Sequence, residues 1–200
     1  GLTAIDTATE SLAYYPLQVE KFLSRYDTLA AERGEVAVRA AWTTEEAAIA
    51  DEFLAHARAI RAERAAAARD GRDARIAELV QSWGGVTVAY RRRLVDSPSY
   101  TLNHEEVEKA LEEGIRFAEG LTPVAVLVDG HNRAYALEVS VQHNDGDGVW
   151  HEARRASLPA RTILIAAGTQ PNTVLAREDA DHFGLDGKYF RLLDEDGTPV

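Results

Sequence analysis

The chain has 200 residues, 46% hydrophobic and 28% charged, with 22 Lys and Arg against 33 Asp and Glu, for a net charge of -11. That balance works against a generic nucleic-acid or anionic-membrane surface, because phosphate recognition needs a basic field, so no nucleic acid and no membrane is expected as a partner. The absence of cysteine excludes a disulfide framework, a thiol nucleophile, and cysteine-held zinc or iron–sulfur centres within these residues, so any redox chemistry must belong to a bound cofactor.

Residues 3–15, TAIDTATESLAYY, place Ala4, Ala8 and Leu12 on one helical face, a stripe narrow enough to pack closely on a sheet. Gly1 and Ala4 fit the last two small positions of G-x-G-x-x-G/A, where a glycine admits a pyrophosphate and a small residue admits a neighbouring strand. An ordinary helix start is the alternative. Residues 16–33 predict a second helical segment, opened by Pro16, with Val19, Phe22, Leu23 and Tyr26 on one side. A third helix is predicted from Thr43, which forms a capping-box pattern with Glu46, through an alanine-rich run ended by Gly71. Its distal RAERAAAARD has little but alanine to bury and reads as a solvated face.

Residues 75–83 form a short amphipathic helix that stops at Gly84 and Gly85 and feeds VTVAYRRR, residues 86–93. The β-rich, non-alternating start of that run predicts a buried parallel strand, and its three arginines fall where the strand leaves the sheet. Ligands of open α/β sheets lie off the carboxyl ends of strands, so fixed positive charge there could hold an anion. A solvated strand end is the alternative reading of the triplet. Helix, glycine pair and strand suit a βαβ unit, which makes residues 16–75 a helical insertion of about 60 residues, far longer than a usual connection.

Asn103 with Glu106 is another capping signal, for a helix buried through Val107, Ala110 and Leu111 and ended by Gly114. Residues 115–117 resemble a short strand. Residues 123–129 and 134–142 predict an antiparallel hairpin around the DGHNR turn, and residues 150–158 a further strand after HNDGDG. TILIA, residues 162–166, reads as a buried strand running into Ala167 and Gly168, where glycine permits positive φ or a close backbone approach. A turn that ends the strand is the plainer account of Gly168. Residues 184–189 and the turn near Gly197 predict a final irregular segment and hairpin. No apolar run approaches the 18 or so residues of a membrane span and no charged-then-apolar leader is present, so the expected compartment is the cytoplasm. The start at Gly1 without methionine and the abrupt stop at Val200 suggest a piece of a longer polypeptide.

Five stretches in order resemble one family: GLTAID, VTVAYRRR, HEEVEKALEEGIRF, LTPVAVLVDGHNRAYALEV and ARTILIAAGTQPNTVL. The chain resembles the NAD(P)-binding domain of the FAD-dependent pyridine nucleotide-disulphide oxidoreductase superfamily, in the branch of the bacterial glutamate synthase small subunit. The resemblance implies an α/β fold, a Rossmann-like three-layer NAD(P)-binding domain with a helical insertion and an antiparallel β-hairpin element. The whole of residues 1–200 would then be a fragment of a larger flavoprotein. Gly1 would be the last glycine of the phosphate loop, Ala4 the close-packing position, and Leu2 and Thr3 the start of a helix whose free N–H groups face the pyrophosphate. Arg91 and Arg92 occupy the places where NADP-preferring members bind the 2'-phosphate. Residues 166–168, including Ala167 and Gly168, would link the two dinucleotide domains, continued by Gln170, Pro171 and Asn172.

The implied activity of the intact protein is that of an NAD(P)H-dependent flavoprotein oxidoreductase, passing hydride from NADPH to FAD. Its partners would be the flavin-binding domain of the same polypeptide and a further electron-transfer subunit or domain. The family's first strand and leading glycines have no counterpart here, so the isolated stretch is expected to be inactive. No catalytic acid or base and no metal ligand set is identified in the sequence. Two alternatives stand beside this reading: a degenerate nucleotide fold acting as an assembly or docking module, and an NADH-specific version of the same enzyme.

Overall fold

The computed structural model describes residues 1–146, 148–168 and 171–200, with Ser99 described by its backbone alone. Its residues fall into two units, Gly1–Ala166 and Ala167–Val200. The first opens on helix α1, Leu2–Arg33, one continuous element of 32 residues with Pro16 inside it. The sequence predicts two segments here, because an interior proline removes one backbone hydrogen bond and crowds the carbonyl four residues back. Burial explains why the helix continues. Before Pro16, Ile5, Ala8 and Leu12 belong to one hydrophobic cluster; after it, Val19, Leu23 and Tyr26 belong to a second. Both flanks are held by tertiary packing, and Pro16, itself buried, lies between them.

Helix α2, Glu35–Ala40, follows the Gly34 corner. Helix α3, Thr44–Asp70, starts and stops as its sequence predicts. The Thr43 hydroxyl accepts the Glu46 N–H at 3.2 Å and the Glu46 carboxylate accepts the Thr43 N–H at 2.8 Å, a reciprocal cap of the first turn. Gly71 ends the helix at φ 63, a left-handed conformation that glycine adopts without steric penalty. Leu54, Ala57 and Ile60 of α3 are fully buried against Val19, Leu23 and Tyr26 of α1. Each such leucine or isoleucine contributes about 1.5–3 kcal/mol of burial.

Helix α4, Ile76–Ser82, leads through Gly84 and Gly85 to strand β1, Thr87–Ala89. A 3-10 turn at Leu94–Asp96 and helices α5, Pro98–Leu102, and α6, His104–Glu112, return the chain to strand β2, Arg116–Ala118. Helix α6 begins at the expected residue without the expected side-chain cap; the backbone carbonyl of Asn103 takes the Glu106 N–H instead, at 3.1 Å. Strands β1 and β2 pair in parallel, Thr87 to Arg116, Val88 to Phe117 and Ala89 to Ala118. Val80, Val107, Ala110 and Ile115 complete the first cluster with α1, and Val86, Val88 and Phe117 lie against it.

The parallel strand predicted in residues 86–93 is therefore present, but three residues long and half-buried. A mixed α/β fold is established, and its parallel part consists of this one pair among the described residues. Strands β3, Leu121–Val128, β4, Ala134–Asn144, and β5, Trp150–Pro159, form the expected antiparallel meander, in the order β3-β4-β5. The link from β2 into it is tight. At Gly120, φ 65, an added Cβ would sit 2.8 Å from the Gln142 carbonyl oxygen.

Residues 162–166 correct a prediction: TILIA forms no strand, with Leu164 58% and Ile165 89% exposed. A strand exists only through its ladder, and none of the described strands lies beside this segment to supply one.

The second unit begins at Ala167 and carries helix α7, Val174–Glu178, which the sequence reading did not anticipate. The expected hairpin follows as strands β6, Leu185–Asp186, and β7, Tyr189–Phe190, then a turn organised by the Asp194 carboxylate, which accepts the N–H groups of Asp196 (3.0 Å) and Thr198 (2.7 Å). Among the described residues no helix is long and apolar enough to cross a membrane.

Candidate functional site

Two features of the first unit can meet an anion. The first is the start of α1. Gly1 caps the helix with no side-chain hydrogen bond, and no acidic residue occupies the first turn to neutralise the partial positive charge of its N–H groups. Gly1, Leu2 and Thr3 are exposed, and Ala4 is half-buried. Ile5, rather than Ala4, leads the buried stripe, because the helix turns Ile5, Ala8 and Leu12 toward the β1–β2 layer.

The second is the end of β1, where the backbone stays anchored past the last paired residue. Tyr90 donates to the Ala118 carbonyl at 2.8 Å and accepts from Leu121 at 2.9 Å, and the Arg92 carbonyl accepts the Gly120 N–H at 3.2 Å. The three arginines on this anchored segment differ. Arg93 binds Asp96 in a bidentate pair, Nε to Oδ2 at 3.0 Å and a terminal nitrogen to Oδ1 at 2.8 Å, which holds the Asp96 carboxyl below its usual range. The Arg93 side chain is 57% exposed, yet it is committed to Asp96. Glu119 is also occupied, accepting the Leu94 N–H at 2.5 Å. Arg91 and Arg92 are exposed, and no hydrogen bond or ion pair with a described residue holds either guanidinium. The segment past β1 thus carries two exposed arginines that make no hydrogen bond or ion pair with a described residue, and Arg92 adds its charge to that of Arg93 in lowering Asp96.

Ala167 and Gly168 belong to the second unit, both exposed, with Gly168 at φ 101, the positive value that the sequence anticipates for a glycine there. Thr169 and Gln170 lie outside the described residues. Asn172 uses its side-chain oxygen to accept the Val174 N–H at 3.2 Å at the start of α7. Among the described residues no group of three or more His, Asp or Glu is arranged to hold a metal ion.

A further cluster escaped sequence reasoning because its members are far apart in the chain. The Tyr15 hydroxyl and Nδ1 of His56 share a hydrogen bond at 2.6 Å, and the His56 ring stacks on Trp83 with centroids 3.8 Å apart and planes 9° from parallel. Phe53 meets the Tyr15 ring edge-on. Burial, reinforced by the nearby Glu52 carboxylate, pushes the Tyr15 phenol up to about 12, with Arg161 opposing. Burial also lowers His56, helped by Arg161 and opposed by Glu52. With its pKa held below the ordinary value, the imidazole is uncharged at neutral pH. Tyr15 lies 13 residues along α1 from Leu2, about 20 Å at 1.5 Å per residue. The cluster is thus a neutral joint between α1, α3 and the end of α4, well away from the N-terminal turn of α1. The only local signal for it is the i, i+3 spacing of Phe53 and His56.

No family profile matches the chain. It is 31% identical over 203 residues to an uncharacterized protein of Rickettsia prowazekii (strain Madrid E), an alignment covering 95% of this chain and 26% of that relative. The chain spans about a quarter of the length of the curated relative it matches.

Proposed function

We propose that this chain is the NADPH-binding part of an FAD-dependent oxidoreductase with a Rossmann-like domain, the intact protein being the active species. The observation that carries the reading is the division of labour at residues 91–93: Arg93 is pinned to Asp96, while Arg91 and Arg92, just past the carboxyl end of a parallel strand, make no hydrogen bond or ion pair with a described residue. A 2'-phosphate would engage those two guanidinium groups, and the pyrophosphate would lie at the uncapped start of α1, on Gly1, Leu2, Thr3 and the backbone before Ala4. The hydride chemistry is supplied by the nicotinamide of NADPH and accepted at a flavin held elsewhere in the polypeptide. Ala167 and Gly168 would carry the chain toward the flavin-binding domain.

Among the described residues β1 pairs with β2 alone, which leaves its other edge open to a further parallel strand of a doubly wound sheet. The test uses the full-length protein. Flavin reduction is followed spectroscopically with NADPH and with NADH, for the natural protein and for an Arg91→Ala, Arg92→Ala double variant. Charge-assisted hydrogen bonds of about 1.5–3 kcal/mol each predict a loss of NADPH affinity of about 10-fold to 100-fold per arginine, with NADH unchanged. Equal rates with both nucleotides, or no reduction by either, would sink the NADPH assignment; faster reduction by NADH would move it to NADH, and no nucleotide binding would leave a docking module.

A further inference from the structure

The antiparallel sheet β3-β4-β5 has buried residues of its own, Leu121, Ala136 and Val139, yet none of them belongs to either hydrophobic cluster. At the end where β3 begins, backbone bonds tie it to β1 and β2 through Gly120 and Leu121. At the opposite end, where β3 turns into β4 and β5 stops, the ties are charges on α3. Glu45 and Glu52 are seven residues apart, two helical turns, and therefore share one face. Glu45 meets Arg133 of the β3–β4 turn at 2.9 Å, with His131 of the same turn at 3.8 Å, and Glu52 pairs with Arg161, two residues past β5.

Both sides of this contact are preset. The Thr43 and Glu46 capping box fixes the first turn of α3 and so places Glu45. The Asp129 carboxylate accepts the N–H groups of His131 at 2.8 Å and Arg133 at 3.0 Å, stiffening the turn that presents the Arg133 guanidinium.

We infer that α3 is an electrostatic strap: Glu45 and Glu52 hold the open end of the antiparallel sheet, and with it the segment that exposes Leu164 and Ile165, in a position that core packing does not set. The Glu45, Arg133, Glu52 and Arg161 side chains are 30%, 50%, 35% and 74% exposed, so salt reaches every pair. The strap is accordingly releasable by ionic strength, and the helical insertion becomes the element that controls where the sheet sits. This inference is independent of the nucleotide reading.

Amide hydrogen exchange of the full-length protein tests it. In a Glu45→Gln, Glu52→Gln double variant, peptides covering residues 126–137 and 156–166 should exchange about fivefold faster, while those in α1 and α3 hold their rates. The natural protein should show the same local acceleration between about 0.05 M and about 0.5 M salt. Glu45→Arg alone should loosen the turn, and Glu45→Arg with Arg133→Glu should restore it. Unchanged exchange at the sheet end, acceleration shared equally by α3, or no recovery in the charge-exchanged pair would each overturn the inference.

Discussion

Replacing Leu54 by alanine tests whether α1 serves two separate cores. Leu54 is wholly buried in the cluster that joins α1 to α3, and its neighbours include Ala50 and Ala57, whose short side chains cannot swing into a vacated space. The substitution removes three carbon atoms, about 2.4 kcal/mol at about 0.8 kcal/mol for each buried methylene, and the unrelaxed cavity brings the total to about 3 kcal/mol. Native-state hydrogen exchange gives the readout by region. Amides of α3 and of α1 beyond Pro16 should lose about 3 kcal/mol of protection, a rise of about 150-fold in the open population, whereas α6 and the residues around Ile115 should not change. A loss below about 1 kcal/mol, or an equal loss in both regions, would refute a division of the core at Pro16.

His56 predicts a pH dependence. Its folded pKa lies below the ordinary 6.5, so the native state binds the proton less readily than the unfolded chain. The stability this contributes is complete above pH 6.5 and is lost as pH falls through the lowered value; His56→Phe should flatten denaturation curves compared over that window, and an unaltered slope would remove His56 as the cause. Two glycines separate backbone strain from steric clash. Gly71→Ala meets open space and costs only the left-handed conformation, about 1 kcal/mol, whereas Gly120→Ala adds a Cβ 2.8 Å from the Gln142 carbonyl and should cost several times more in chemical denaturation. Equal costs would mean that the β2–β3 link relaxes freely.

Local chemistry was legible in the sequence and long-range partnership was not. The capping box at Thr43 and Glu46, the stop at Gly71 and the turn at residues 129–133 all emerged where sequence reasoning put them, because each is decided within about five residues. Pro16 misled in the other direction: its local cost was read correctly, and the burial on either side that outweighs it could not be. TILIA has the composition of a buried strand, but a ladder depends on a neighbour that composition does not supply. In the candidate site, the arginine triplet was visible as a charge cluster, while the commitment of Arg93 to Asp96 and the Tyr15–His56–Trp83 joint required the folded backbone.

The unbroken course of α1 has a mechanical consequence. One continuous helix carries the turn at Gly1 and, beyond Pro16, a further 17 residues to Arg33, about 25 Å of helix. Pivoting the helix by about 5° where its two anchoring clusters meet would carry its far end through about 2 Å. The arm from Pro16 back to Leu2 is 14 residues, about 21 Å, so the same tilt moves that end by nearly as much in the opposite sense.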